Sequence, residues 1–160
     1  MIRTFRMLDS INIDSTPKTI DFDILGIDPL EYPEFPKIES DISFELDSKI
    51  LLDLVKHTIF SVSYDETKQF LNGIKIESKG SRCDFISTDG FRLSLKYEEL
   101  NKELPEFSCI VPYKTMNELA KVISSMKVDT IQILMSERQI SFCVGDCKII
   151  SRLINGRFPD

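Results

Sequence analysis

The sequence predicts an α+β domain in which two helices pack on antiparallel sheets, with one structural plan used twice. Three observations carry this. Two segments, from Asp47 or Ser48 to about Ile59 and from about Tyr113 to Met126, space their apolar residues for a single helical face. Each is preceded by a short strand and followed by three stretches that alternate apolar and polar residues. Turn signals containing glycine, Asp89-Gly90 and Gly145-Asp146, join neighbouring strands.

Taken in order, Thr19 to Leu25 is expected to be a strand, with Ile20, Phe22 and Ile24 alternating against polar residues. Pro29, Pro33 and Pro36 follow; each removes a backbone donor and restricts the residue before it, so this stretch reads as an extended linker. A new unit starts near Ile42. Its first strand is Ser43 to Leu46, Asp47 or Ser48 caps the helix, and Ile50, Leu51, Leu54, Val55 and Ile59 form the buried stripe. Strands are expected near Phe70 to Ser78, Arg82 to Thr88 and Phe91 to Tyr97.

The second copy opens with a strand at Ser108 to Val111. Pro112 precedes the helix, whose Met116, Leu119, Ala120, Ile123 and Met126 lie on one side. Strands follow near Thr130 to Met135, Gln139 to Val144 and Cys147 to Ile154. A tight turn at Gly145-Asp146 places Ile140, Phe142, Val144, Cys147 and Ile149 on one apolar face. The copies share an order of elements, not a residue-by-residue repeat. Two short helices and about eight strands need a shared core, and the economical solution lays both helices side by side across sheet.

The turn at Asp89-Gly90 is the most specific local feature. With these two residues at the centre of the turn, Thr88 pairs with Phe91, Ile86 with Leu93 and Asp84 with Leu95. One face then gathers Ile86, Phe91, Leu93 and Leu95, and the other Cys83, Phe85, Ser87, Arg92, Ser94 and Lys96. Arg92 beside exposed apolar groups makes this ribbon a candidate docking edge.

Length and composition narrow the classes. A chain of 160 residues suits one ordinary domain with a fragment of another. No apolar run approaches the ~20 residues of a membrane span, and MIRTFRMLDS lacks the apolar core of a secretory signal. Cys83, Cys109, Cys143 and Cys147 are scattered through strands and read as free thiols of a reducing compartment. A net charge of -6 argues against wrapping nucleic acid over the whole surface, while leaving room for one local basic face. Such a face is offered by the helix sides opposite the apolar stripes, which show Lys49, Asp53, Lys56 and His57, and Lys114, Asn117, Glu118 and Lys121.

Four segments in register, Leu71-Asn72-Gly73, Thr88-Asp89-Gly90-Phe91-Arg92-Leu93, Val111-Pro112-Tyr113-Lys114 and Gly156-Arg157-Phe158-Pro159-Asp160, together resemble the central domain of the bacterial DNA polymerase III β subunit, the sliding clamp. Asp23 to Pro36 is similar to the end of that family's first domain; residues 1–17 match no part of the pattern. The resemblance implies a DNA-clamp fold: a pseudo-twofold domain with its helices lining a ring and its sheets outside. It implies a partial first domain and Pro-rich linker over residues 1–40, a central domain over 41–160, and no third domain.

What the resemblance implies for function is a processivity factor that tethers a replicative polymerase to duplex DNA by encircling it. It would be a non-catalytic, cytoplasmic subunit of a DNA-directed DNA polymerase, with nucleotidyltransferase chemistry left to the partner. Duplex DNA would meet Lys49, Lys56, Lys68, Lys114 and Lys121 through sequence-blind phosphate contacts, with Asp53 and Glu118 weakening them. Polymerase, clamp loader and repair proteins would insert short apolar peptides into a groove to which this domain gives Leu71, Thr88, Gly90, Phe91, Arg92, Leu93 and Pro159. Phe91 stands where His or Tyr is common. Half a groove is expected to bind such peptides weakly, and the ring-forming homodimer of the family is expected to give way here to a monomer or weak association.

Catalysis finds little support. His57, the sole histidine, has no nucleophile pattern beside it, and Asp89 is better explained as a turn residue than as half of a carboxylate pair with Asp84. The six glycines are dispersed, so no phosphate-binding loop is expected. Cys143 and Cys147 lack a second ligand pair, so neither a metal nor another cofactor is expected. The rival reading is a stand-alone truncated interaction module, or a clamp remnant, that keeps the sheet edge and has no role on DNA.

Overall fold

The structure is a computed structural model that describes residues 40–159. The strand expected at Thr19 to Leu25 and the proline linker lie outside the described residues. The described chain runs β1 (Ile42–Asp47), α1 (Ser48–Thr58), β2 (Gly73–Lys79), β3 (Arg82–Thr88), β4 (Leu93–Glu99), β5 (Phe107–Pro112), α2 (Tyr113–Ser125), β6 (Thr130–Met135), β7 (Gln139–Val144) and β8 (Cys147–Arg152). Short 3-10 segments, Ile59–Ser61 and Glu66–Leu71, lie between α1 and β2.

Local chemistry sets these boundaries. Asp47 is the cap of α1: its carboxylate accepts from the backbone N–H groups of Lys49 and Ile50 at 2.8 and 3.2 Å. Ser48 is instead buried, its hydroxyl donating to the Val128 carbonyl at 2.6 Å, which ties the start of α1 to the chain leading into β6. Pro112 precedes α2, where a missing N–H costs nothing.

Two four-stranded antiparallel sheets result, in the orders β1-β6-β7-β8 and β4-β3-β2-β5. Each takes three strands from one copy of the plan and its fourth, an edge, from the other copy. β1 pairs with β6 from Ile42↔Met135 to Asp47↔Thr130, and β5 pairs with β2 from Gly73↔Pro112 to Ser78↔Phe107. This exchange makes the domain pseudo-twofold and leaves β4 and β8 as the corresponding border strands among the described residues.

The two helices touch each other and cover the inner faces of the sheets. Leu51, Leu54 and Val55 of α1 and Met116, Leu119 and Ile123 of α2 are buried with Ile74, Ile76, Phe85, Ile131, Ile133, Ile140 and Phe142 in one core. At about 25 cal/mol per Å² of apolar area, this shared burial is the main force holding the layers together. A second, smaller cluster lies on the opposite face of the β4-β3-β2-β5 sheet, where Leu71, Ile110 and Phe158 are buried with Phe70, Ile86 and Ile154 against them. The chain after β8 is drawn over this face by an Ile154 N–H donating to the Ile110 carbonyl at 2.9 Å.

The β7–β8 turn is the two-residue turn expected: Val144 pairs with Cys147, and Gly145 has φ 57°. The β3–β4 turn is not. Thr88 pairs with Leu93, Ile86 with Leu95 and Asp84 with Tyr97, so the loop holds Asp89 to Arg92 and the register moves by two residues. The cause is side-chain capping: Asp89 Oδ1 accepts from the Phe91 and Arg92 N–H groups at 2.9 and 3.0 Å, and Thr88 Oγ1 donates to the Arg92 carbonyl at 2.7 Å. An even shift preserves the faces, and burial assigns them. Cys83, Phe85 and Ser87 point into the core, whereas Leu93 and Leu95 are exposed.

Candidate functional site

Two surfaces gather the residues singled out from the sequence. The first is the outer side of the helix pair. Lys49 and Lys56 of α1 and Lys114 and Lys121 of α2 are all exposed. Lys56 and Lys121 both line a groove of about 530 Å³ between the helices, together with Val55, Ile59, Asn117 and Ala120. Lys68 is exposed in the 3-10 segment before β2, at a kink where its φ and ψ are -118° and 60°.

The lysines do not stand alone. Lys121 Nζ lies 2.8 Å from Glu118 Oε1. Asp53 reaches Lys96 of β4 at 3.1 Å and His57 at 3.1 Å. The Lys96 hydrogen bond, aided by the charges of His57, Lys96 and Lys56, holds the Asp53 carboxyl below its ordinary range against the opposing effect of burial. His57 is therefore a partner of Asp53, and its Nδ1 also sits 2.8 Å from the Asp53 carbonyl.

A cavity of about 690 Å³ adjoins this side, lined by Tyr64, Glu66, Gln69, Asn72, Tyr113, Lys114, Arg152 and Asn155 among others. It places Lys114 beside the segment that carries Lys68. Tyr64 meets Tyr113 edge to face, with ring centroids 5.1 Å apart. Their hydrogen bond raises the Tyr64 phenol above its ordinary value, burial adds to this, and the charge of Arg92 opposes it. Arg152 was not singled out from the sequence. Its only local signal is the outward alternation of β8 with Lys148; its approach to Lys114 depends on long-range packing.

The second surface is the outer face of the β3–β4 ribbon. Phe91 is 98% exposed at the loop tip, Leu93 64% and Leu95 48%. Gly90 has φ 92°, and a Cβ built on it meets nothing within 4 Å, so backbone is open to approach there. Arg92 Nε donates to Asp89 Oδ2 at 3.0 Å. Thr88 and Leu71 are buried: the Thr88 hydroxyl is spent on the loop, and Leu71 lies in the small cluster under Phe158. Pro159, next to Phe158, is exposed. Thus Leu71 and the Phe158–Pro159 segment come together on the outer face. They share it with Ile86, two residues before Thr88 on the ribbon, while Gly90, Phe91, Arg92 and Leu93 form its tip.

Among the described residues no group of three or more His, Cys, Asp or Glu side chains is arranged to hold a metal ion, and no helix is long and apolar enough to cross a membrane. The four cysteines are free thiols.

Comparison with known proteins places this architecture. Residues 45–160 match the family model described as DNA polymerase III beta subunit, central domain. The chain belongs to the DNA polymerase III beta subunit family. It is 33% identical over 141 residues to the beta sliding clamp of Halalkalibacterium halodurans, an alignment covering 86% of this chain and 37% of the relative. It is 31% identical over 160 residues to that of Rickettsia felis, covering 98% and 42%. The crystal structure of the beta subunit from Thermotoga maritima superposes with a TM-score of 0.80 at 30% identity, covering 91% of this chain and 39% of that one. The chain thus spans about two fifths of the length of these relatives. The beta-subunit structures also share the helices and paired antiparallel sheets, so the α+β clamp fold expected from the sequence is the fold observed.

Proposed function

We propose that this chain is the central part of a sliding clamp, a non-catalytic factor that keeps a replicative polymerase on duplex DNA. Residues 41–160 would form the central domain and residues 1–40 the end of a first domain with its linker. The observation that supports the reading best is the pairing of helices side by side on two sheets in a chain matching the family model over residues 45–160. In the proposed ring, Lys49, Lys56, Lys68, Lys114 and Lys121 contact phosphates, and their sequence-blind character lets the ring slide. Tethering raises the effective concentration of the polymerase at the primer end. Cellular placement follows from that role as a cytoplasmic factor.

Partner proteins would dock through short apolar peptides on the Phe91–Leu93 tip and the Leu71–Pro159 side of the outer face. A Leu or Phe anchor buried there gains about 25 cal/mol per Å². The exposed Leu93 and Leu95 on β4 favour such docking. The isolated chain is expected to be monomeric or weakly associated, which light scattering after size exclusion reads directly.

The test is a hybrid. Residues 45–160 replace the matching segment of the Halalkalibacterium halodurans clamp, and primer extension is followed on singly primed circular DNA. Long products in single binding events are expected; short products indistinguishable from those without clamp would sink the reading. A second reading, an interaction module without DNA contact, is favoured by the carboxylates Glu118 and Asp53 among the helix lysines. A hybrid that binds partner peptides yet is not retained on the circle would select it.

A further inference from the structure

The β3–β4 loop is held from within by one side chain. Asp89 uses both carboxylate oxygens: Oδ1 accepts from the N–H groups of Phe91 and Arg92, and Oδ2 accepts from Arg92 Nε at 3.0 Å. Thr88 closes the other side, its Oγ1 accepting from the Gly90 N–H at 3.0 Å and donating to the Arg92 carbonyl. The consequence is directional. With the backbone fixed at residues 90 to 92, Phe91 is left pointing into solvent with 98% of its surface exposed, and Arg92 is folded back along the loop.

We propose that Asp89 is a positioning residue for peptide recognition: it presents Phe91 as a preformed aromatic contact and neutralises Arg92. This wall would then select apolar, uncharged peptide ends over acidic ones. The inference rests on the peptide-docking reading above and adds the residue that sets its geometry and charge. Left unpaired, Arg92 would be a cation available to a partner's carboxylate. In the structure its Nε already has one. A loop whose amides are satisfied before binding loses less freedom on docking, so the clamp on the backbone favours affinity as well as selectivity. Asp89 itself makes no contact with the peptide in this scheme.

The experiment follows backbone amide NMR shifts of the whole 160-residue chain during titration, to millimolar concentration, with two short peptides ending in Leu-Phe, one neutral and one with two added aspartates. The wild type is expected to shift at Phe91 to Leu93 with the neutral peptide and to bind it several-fold better than the acidic one. Asp89→Ala is expected to weaken neutral-peptide binding roughly five-fold and to raise the mobility of the Gly90 to Arg92 amides by relaxation. Asp89→Asn keeps the acceptor for the two N–H groups while releasing Arg92. It is expected to restore loop order and most of the neutral-peptide affinity, while bringing the acidic peptide up to parity. If the wild type binds and neither variant changes affinity, selectivity or loop mobility, the role of Asp89 is wrong and the docking reading survives. If the wild type shifts with neither peptide, the docking reading itself falls and this inference with it. A loop loosened equally in the Asn and Ala variants would assign the ordering to charge alone and overturn the backbone clamp.

Discussion

Lys121 and Glu118 neutralise each other on the exposed side of α2, 2.8 Å apart and one helical turn from each other. Both side chains are about three-fifths exposed, so the pair adds little to stability. Its effect is on the field of the surface. Glu118→Gln is expected to tighten binding of a labelled duplex two- to five-fold at low salt and to steepen the salt dependence by roughly one counterion, while leaving thermal stability nearly unchanged. Lys114→Ala is expected to do the reverse, lowering the slope of log K against log salt by about 0.9. Anisotropy titrations over a range of salt concentrations measure both. Equal slopes in all three proteins would remove Lys114 and Lys121 from any DNA surface.

Asp53 latches α1 to β4 through Lys96. Its carboxyl is held below the ordinary aspartate range, first by that hydrogen bond and then by neighbouring positive charge. A folded-state pKa below the unfolded one means the contribution is fully present above the unfolded aspartate value and is lost as pH falls through the folded one. The wild type is therefore expected to melt above Asp53→Asn at neutral pH, with the gap closing between the ordinary aspartate range and more acid solution. Thermal melts of both proteins across that range check this. A constant gap would show that the latch works by shape, not by charge.

Burial pushes the thiols of both Cys83 and Cys109 up to about 12. With so little thiolate and so little access, neither is expected to react with a disulfide reagent in the folded protein at mildly alkaline pH. Cys143 and Cys147 are half-buried near the β7–β8 turn and are expected to react in its place. Thiol counting before and after denaturant should give two and then four. Four rapid equivalents in the native protein would place Cys83 and Cys109 outside the core.

At Gly73 the backbone of β2 runs against β5 so closely that an added Cβ would strike the Val111 carbonyl, with Ile110 and Ile154 each at 3.0 Å. The obstructing atom is backbone and cannot swing aside. Gly73→Ala is expected to cost roughly 2 kcal/mol or more by urea denaturation. Gly90→Ala has open space around it and a positive φ of 92°, so it is expected to cost about 1 kcal/mol through backbone strain alone. If the two variants proved equally stable, the close approach of β2 and β5 would be in error.

These positions also show what was legible beforehand. The helix stripes ending at Ile59 and Met126 and the alternation through Ile140, Phe142 and Val144 are local periodicities, and each element appeared near its expected place. Gly145-Asp146 gave the turn its chemistry demands. Asp89-Gly90 carried the same signal and produced a longer loop, because the carboxylate of Asp89 and the hydroxyl of Thr88 offered the backbone better partners than a tight turn would. Phe70 and Leu71, read as the start of a strand, are held instead in a 3-10 segment capped by Asp65. Leu71 was a groove residue on resemblance; burial under Phe158 depends on a segment 87 positions later, which no local pattern encodes. The meeting of Lys114 with Arg152 in one cavity was invisible for the same reason.

The swap of β1 and β5 between sheets has a further consequence for how such a chain could be cut. Severed in the stretch between β4 and β5, either piece would lack a border strand and expose a ladder of bare amides along β2 or β6. Neither piece completes its sheet by itself. Two such pieces, each lending its opening strand to the other, would rebuild both sheets without a covalent join.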